Sequence, residues 1–287
     1  MSACGWAVHT GVRGGWRQGV AAGRYEGEVV GGRAPPPLQG GRVRGGVRTR
    51  RGEVRASAAG GVPDGAGMPG GNQLLVFVPP HPLVPHYLAV CRNAGTPVGL
   101  FRSAVAELGR ILVYEAVRDH LPMLEVELET PLAPCPGQIV DPNLPYVLVP
   151  VLRAGLLPLE RIETVVPNSV TYHVGLVRDE ETLEPTEYLN KLPASIDPRL
   201  PVLVSDPMLA TGGTMMRVLE MLQARGADLD KTTVVSVVAA PAALNKISKG
   251  FPGKKLRVYT ACIDEHLSDK GFIIPGLGDA GDRAYGT

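Results

Sequence analysis

The segment whose residue types best suit anion binding is DPMLATGGT, residues 206–214. An aspartate ends the apolar run VLVS, and the Thr-Gly-Gly-Thr of residues 211–214 precedes apolar residues at helical spacing. Glycines let a backbone approach a phosphate closely, threonine hydroxyls donate hydrogen bonds, and a helix N-terminus adds unpaired N–H groups. The pattern predicts a phosphate site, with Asp206 placed to accept hydrogen bonds from sugar hydroxyls. An ordinary strand–turn–helix has the same spacing, so spacing alone leaves that alternative open.

A second predicted anion site lies in VPVLRAGLLPLE, residues 149–160, where an apolar strand is followed by Arg153 and a glycine. A guanidinium group offers forked donors that match a diphosphate. The alternative is that Arg153 pairs with a nearby carboxylate. A third charged segment, VRDEETLEP at residues 177–185, is by composition alone a solvated loop.

The last 17 residues, GFIIPGLGDAGDRAYGT, contain five glycines. So many glycines do not suit a packed helix or strand, and we expect main-chain atoms here to be presented to a small ligand. A glycine-rich tail without a ligand is the alternative. From residue 265 onward we predict a structured loop without regular elements.

The elements around these segments must position them. Strands are predicted over residues 74–80, 146–152, 169–177, 201–206, 232–240 and 256–263, and helices over residues 83–93, 98–119, 156–164, 215–225 and 242–249. Alternating strands and helices indicate an α/β fold, a doubly wound and mostly parallel sheet. Ligands of such sheets bind beyond the carboxyl ends of the strands, where Arg153 and Asp206 both fall.

Composition divides the 287-residue chain into two parts. Residues 1–72 contain 20 of the 36 glycines, 10 arginines, no lysine and four acidic residues, a net charge of +6. Residues 73–287 carry a net charge of −5. We predict a disordered leader over residues 1–72 and one domain over residues 73–287, long enough to bury a core. The acidic charge of that domain argues against a nucleic-acid surface.

The arginine-rich, acid-poor leader is typical of an organelle transit peptide, and VRASA at residues 54–58 resembles a plastid processing site. Such peptides are usually rich in serine, whereas the leader has only Ser2 and Ser57. A Gly/Arg tail that contacts RNA, or a plain solvated extension in a cytoplasmic protein, therefore stays open. No apolar run approaches the roughly 20 residues needed to cross a bilayer, so no membrane partner is expected.

Several residue types do not form recognisable sites. The four cysteines have no CxxC spacing, so free thiols are expected rather than a zinc site or a disulfide framework. The six histidines show no metal-ligand spacing. The segment GFPGKK, residues 250–255, has the wrong spacing for a P-loop, which excludes a fused kinase of that type from this chain.

DPMLATGGT and PGLGDAGD together make the chain resemble the phosphoribosyltransferases, and among them the uracil phosphoribosyltransferases, from about residue 74 to residue 287. The wider group usually has two adjacent acids before the TGGT loop, and the uracil enzymes resemble this chain in having Asp-Pro instead. The resemblance implies transfer of the phosphoribosyl group of phosphoribosyl diphosphate to N1 of uracil, which gives UMP. It also implies that residues 271–287 form a hood over the base.

The resemblance implies a role for specific residues. Asp206, Arg178 and Asp279 are expected to act in catalysis. Uracil is expected to contact Ile273, Gly278, Asp279 and Ala280, largely through backbone groups. The residues expected to bind phosphoribosyl diphosphate are Arg153, Arg178, Asp206, Pro207, Met208, Leu209, Ala210, Thr211, Gly212, Gly213, Thr214 and Asp279.

Further expectations concern cofactors and partners. Mg²⁺ is expected to arrive on the diphosphate rather than on direct protein ligands. The resemblance also suggests a homo-oligomer and a nucleotide activator such as GTP. Two alternative functions remain open. The first is a regulator that has this fold and binds RNA or a nucleotide, and the second is a phosphoribosyltransferase for another base.

Overall fold

The computed structural model describes residues 74–178 and 185–287. The leader, residues 1–72, and residues 179–184 lie outside the described residues. The helices are α1 (Leu83–Arg92), α2 (Val98–Val117), α3 (Gly213–Ala224), α4 (Pro241–Gly250) and α5 (Ala280–Tyr285). The strands are β1 (Leu75–Phe77), β2 (Met123–Glu129), β3 (Pro134–Val140), β4 (Tyr146–Leu152), β5 (Ser169–Thr171), β6 (Val174–Arg178), β7 (Pro185–Asn190), β8 (Val202–Ser205), β9 (Met208–Leu209), β10 (Thr232–Ala239), β11 (Arg257–Ile263), β12 (His266–Leu267) and β13 (Ile273–Ile274).

The central sheet follows the order β1-β11-β10-β8-β4-β6-β7. Its pairs are parallel except β6 with β7. β5 also pairs with β4, and β9 pairs with β10. Because parallel strands begin at one edge and end at the other, the loops that follow β4, β6, β8, β10 and β11 meet at a single edge. We call this the carboxyl edge.

Helices cover both faces of the sheet. Along β4, Val147 and Val149 are buried in the same cluster as Met215 of α3. The alternating residue Leu148 packs instead with Leu112 of α2. Alternate side chains of a strand point to opposite faces, so α3 lies on one face and α2 on the other. The predicted doubly wound, mostly parallel α/β domain is confirmed.

Most predicted elements are present, and three need correction. The helix predicted over residues 156–164 is instead a 3₁₀-helix, Ala154–Leu159, and Pro158 inside it lacks the N–H that an α-helix would use. The strand predicted over residues 169–177 is two strands, β5 and β6. The terminal loop contains β12, β13 and the six-residue helix α5, so it is not free of regular elements.

One hairpin stands apart from the central sheet. β2 and β3 pair antiparallel from Met123↔Val140 to Glu129↔Pro134, and no element was predicted there. Several of its apolar side chains are exposed, and Leu132 in the turn is 96% exposed. Within residues 74–178 and 185–287, no helix is both long and apolar enough to cross a membrane.

Candidate active site at the carboxyl edge

Three of the predicted site residues lie at the carboxyl ends of strands. Arg153 comes directly after β4, and Asp206 comes directly after β8, which pairs with β4. Arg178 is the last residue of β6, on the other side of β4, and the loop after it lies outside the described residues. The fold therefore brings together the two loops for which the sequence predicts anion binding.

The segment after β4 approaches the end of β8 closely at Gly155. A Cβ atom at this position would overlap the carbonyl oxygen of Ser205, the last residue of β8. Only glycine allows this distance without moving one of the backbones. Arg153 is exposed at the start of the 3₁₀-helix, and no carboxylate among the described residues forms an ion pair with it. The predicted alternative of a paired arginine therefore finds no support in the described part of the chain.

The loop of residues 206–214 is more ordered than a simple turn. Met208 and Leu209 form β9, which extends the sheet against β10. The Leu209 side chain is buried in the core, so a substrate can meet this residue only through its main chain. The backbone N–H of Met208 donates to a carboxylate oxygen of Asp206 at 3.4 Å.

α3 begins at the end of this loop with Gly212 as its N-cap residue. Gly212 has a φ of +78°, and a Cβ there would lie 2.9 Å from the Ala243 Cα, so both conformation and space require glycine. Gly212 has no side chain with which to cap α3. The amides of the first turn therefore remain available to an anion at the carboxyl edge.

The predicted base loop runs from β13 into α5. Ile273 and Ala280 are 4% exposed and their side chains pack in the core, which agrees with recognition through backbone groups. Gly278 has a φ of +77°, a conformation that favours glycine. The Asp279 carboxylate accepts from the Asp282 N–H at 2.9 Å and caps α5. This carboxylate therefore has a structural task that the sequence did not indicate.

An ion pair that the sequence reasoning missed holds the base loop. Arg92 of α1 donates to both carboxylate oxygens of Asp264, at 2.9 and 2.8 Å, and also approaches the Cys262 Sγ at 3.1 Å. Burial alone would raise the pKa of Asp264, but the hydrogen bonds from Arg92 and the Gly276 N–H, with the Arg92 charge, leave that pKa lowered. Asp264 follows the end of β11, so the rule that located Asp206 could also have found it.

Arg283 of α5 makes a second attachment. Its guanidinium donates to the carbonyl oxygens of Leu277 and Asn93, each at 2.7 Å, and to that of Cys91. It also lies 4.3 Å above the Phe101 ring centroid. The base loop is thus tied to the end of α1 and to α2.

The described cysteines are free thiols, as predicted. Burial raises the pKa of Cys91 to about 12 and that of Cys262 to about 11, although the Arg283 and Arg92 charges oppose the rise. A thiolate is the reactive form, so both thiols are poor nucleophiles at neutral pH. They are part of the packing around the base loop.

Two other features lie away from the carboxyl edge. A cavity of about 320 Å³ is lined by residues of the β2–β3 hairpin. Another of about 210 Å³ lies where β8 and β11 begin, lined in part by Arg199 and Arg257. Among residues 74–178 and 185–287, no group of three His, Cys, Asp or Glu side chains could hold a metal ion.

Comparison with known proteins identifies the family of this chain. The family model described as uracil phosphoribosyltransferase matches residues 78–287. The uracil phosphoribosyltransferase of Nostoc sp. is 56% identical over 215 residues, which cover 75% of this chain and 99% of that protein. The Arabidopsis thaliana protein named "Uracil phosphoribosyltransferase, chloroplastic" is 48% identical over 222 residues, which cover 77% of this chain and 74% of that protein.

A solved structure supports the same fold. The AQ2163 protein of Aquifex aeolicus superposes with a TM-score of 0.67 at 38% identity. The match covers 74% of this chain and 98% of the Aquifex chain.

Proposed function

Because the chain belongs to the uracil phosphoribosyltransferase family, we propose that its carboxyl edge transfers the phosphoribosyl group of phosphoribosyl diphosphate to N1 of uracil. The products are UMP and diphosphate, and the enzyme is a pentosyltransferase of pyrimidine salvage. The observation that carries the assignment is the meeting of Arg153, after β4, with the loop of residues 206–214, after the neighbouring β8. Arg153 offers donors for the diphosphate of phosphoribosyl diphosphate, and the loop of residues 206–214 offers donors for its 5′-phosphate.

The phosphate ends of the substrate have separate sites in this proposal. The 5′-phosphate binds the backbone of residues 210–214, beside the uncapped first turn of α3. Arg153 and Arg178 bind the diphosphate, where guanidinium groups offset the charge that develops as it leaves. Asp206 accepts hydrogen bonds from the ribose hydroxyls and so fixes the sugar for displacement at its anomeric carbon.

Magnesium fits this site as a companion of the substrate. The described residues offer no group of three His, Cys, Asp or Glu side chains for a metal ion, whereas diphosphate oxygens are the kind of donor that Mg²⁺ prefers. We propose that Mg²⁺ would reach the site on the diphosphate, without direct protein ligands, and would there offset the charge of the leaving group. The N1 proton of uracil leaves to water or to a substrate oxygen.

The base loop reads uracil through main-chain groups of residues 273–280. The side chains of Ile273 and Ala280 are buried, so their N–H and C=O groups are what they can offer to a ligand. Asp279 contacts the phosphoribosyl side in this proposal. Because its carboxylate also caps α5, Asp279 couples the ribose to the loop that holds the base.

Localisation and assembly are proposed on separate grounds. The leader directs the protein to plastids, which its arginine-rich composition and the chloroplastic Arabidopsis relative support. A second copy of the chain covers the hairpin, which exposes Met123, Leu124, Leu128, Leu132 and Ile139. A nucleotide activator such as GTP stays a prediction with no described residue assigned to it.

The assignment of the site is tested with the full chain and three variants. Arg153→Ala and Asp206→Asn are each expected to lower kcat/KM for UMP formation at least 100-fold, about 2.7 kcal/mol. Arg118→Met removes exposed ion pairs at the end of α2 and is expected to leave kcat/KM within twofold. If both single variants, Arg153→Ala and Asp206→Asn, are folded and fully active, the site lies elsewhere.

A further inference from the structure

The Arg92–Asp264 ion pair joins two elements that are distant in sequence. Arg92 is the last residue of α1, and Asp264 directly follows β11. The side chain of Asp264 is 8% exposed and that of Arg92 is 26% exposed, so the pair is shielded from water. Its bidentate geometry fixes the guanidinium plane against the carboxylate.

The same pair binds both backbone polar groups of Gly276. Arg92 Nη1 donates to the Gly276 carbonyl oxygen at 3.1 Å, and the Gly276 N–H donates to Asp264 Oδ2 at 2.9 Å. Gly276 has a φ of +55°, and a Cβ there would overlap the Ile273 carbonyl oxygen. The turn is therefore tight, and one charged pair binds both of its backbone polar groups at Gly276.

The position of Gly276 gives this contact its importance. Gly276 lies between Ile273 and Gly278, two of the residues assigned to the base. Backbone donors and acceptors are directional, so a small rotation of this turn would misalign the groups that face the ligand. A shielded ion pair is also a poor source of net stability, because an apolar pair of similar volume is often as stable. An apolar pair has no donor or acceptor with which to bind the Gly276 carbonyl oxygen and N–H.

We propose that Arg92 and Asp264 are positioning residues that set the orientation of the base loop and thereby determine affinity and selectivity for uracil. This inference rests on the proposed function, since it needs the base to bind at residues 273–280. Neither side chain acts on the reacting atoms. Their effect passes through the backbone of Gly276.

The decisive variant replaces the ion pair by apolar side chains, Arg92→Met with Asp264→Leu, in the full chain. We expect its melting temperature to fall by several degrees, because the Gly276 N–H and carbonyl oxygen lose their hydrogen-bond partners. KM for phosphoribosyl diphosphate should change less than twofold, whereas KM for uracil should rise at least tenfold. The preference for uracil over cytosine should also fall. A role in stability alone predicts a lower melting temperature with both KM values unchanged, so the KM for uracil is the measurement that decides.

Conservative variants keep the test decisive if the double variant does not fold. Arg92→Lys retains the charge but loses the forked contact with Asp264 and Gly276. It is expected to raise KM for uracil several-fold with KM for phosphoribosyl diphosphate unchanged. Faster hydrogen exchange at the amides of residues 276–278 should accompany this change. Arg118→Met, which removes exposed ion pairs far from the loop, is the control and should change neither KM.

The outcomes separate this inference from the proposed function. If the wild-type chain forms no UMP, the proposed function fails. If it forms UMP but folded Arg92→Lys and double variants keep the wild-type KM for uracil, the positioning role is overturned.

Discussion

The aromatic ring of Tyr285 lies against the guanidinium group of Arg153, whose Cζ is 5.5 Å from the ring centroid. The Tyr285 hydroxyl also donates to the Arg153 carbonyl oxygen at 3.3 Å. Arg102 of α2 stacks on the same ring at 5.6 Å. The helix α5 thus contacts Arg153, the arginine assigned to the diphosphate. Because the base loop runs into α5, this helix contacts both the predicted base site and the predicted diphosphate site.

Loss of this aromatic ring should weaken binding of phosphoribosyl diphosphate. A cation–π contact at an exposed site is worth about 0.5–1 kcal/mol, so Tyr285→Leu is expected to raise KM for phosphoribosyl diphosphate about two- to fivefold. Tyr285→Phe keeps the ring and should stay within twofold. Steady-state kinetics at saturating uracil measure both variants. Identical values for the two variants would show that the ring does not orient Arg153.

The phosphate loop gives a second prediction. Gly213→Val places a branched side chain at the first turn of α3 and should raise KM for phosphoribosyl diphosphate at least tenfold, about 1.4 kcal/mol. The fold should survive, because Gly213 is in a helix. Gly212→Ala is the contrasting variant. Because residue 212 has a φ of +78°, an alanine there should lower the free energy of unfolding by about 1–2 kcal/mol. An unchanged KM in folded Gly213→Val would remove the phosphate assignment.

Base selectivity is the third prediction. A main-chain N–H that donates to a carbonyl of uracil would meet the amino group of cytosine, which is also a donor. We therefore expect kcat/KM for uracil to exceed that for cytosine at least 100-fold, which corresponds to about 2.7 kcal/mol. 5-Fluorouracil, nearly the same size, should be accepted. Comparable kcat/KM values for cytosine and uracil would contradict main-chain recognition by this loop.

Gly278→Leu tests the same loop directly. It should abolish turnover while calorimetry still detects binding of phosphoribosyl diphosphate. Gly253→Leu is the matched control, because Gly253 lies after α4 and has the same φ of +77°, but a Cβ there would have no atom within 4 Å. It carries the same backbone strain and should retain full kcat. A fully active Gly278→Leu would show that the base binds elsewhere.

Acid should remove the stabilisation that Asp264 provides. Its folded pKa is lowered below the ordinary value of 3.8, so its contribution is complete above that value and is lost as the pH falls through the folded pKa. Asp264→Asn should cost about 2–3 kcal/mol at pH 7, less than for a fully buried pair because Arg92 is partly exposed. Urea unfolding at falling pH should show this difference narrowing below pH 3.8. A difference that does not change with pH would contradict the ion-pair account.

The leader is tested in living cells. A fusion of residues 1–72 to a fluorescent reporter should enter plastids and be cleaved near residues 56–58, because arginine-rich, acid-poor leaders are typical of transit peptides. A version with its arginines replaced by glutamine serves as the control and should stay outside. An uncleaved cytosolic reporter in a plastid-bearing cell would favour the solvated-extension alternative.

The sequence predicts the central sheet because its strands are covered on both faces. β4, for example, was predicted over residues 146–152 and has those bounds, since a continuous apolar run is typical of a covered parallel strand. The hairpin was missed although MLEVELE alternates apolar and acidic residues, the pattern of a strand with one solvated face. The prolines in β3 obscured its partner.

The candidate site can be proposed from the sequence alone where a local motif carries it. The loop of residues 206–214 and the glycines of the base loop are recognisable from a few adjacent residues. Arg92 and Tyr285 are not, because their importance depends on contacts with Asp264 and Arg153, which are 172 and 132 residues away in sequence. Such pairings depend on the tertiary fold, which the spacing of residues in one segment does not specify.

Formation of UMP from radiolabelled uracil by the purified full chain is the most direct test of the proposed function. With phosphoribosyl diphosphate and Mg²⁺ present, labelled UMP should form together with one diphosphate per turnover. Without phosphoribosyl diphosphate, no labelled nucleotide should form. Failure to form UMP from a folded protein in the complete mixture would contradict the assignment of uracil phosphoribosyl transfer to the carboxyl edge.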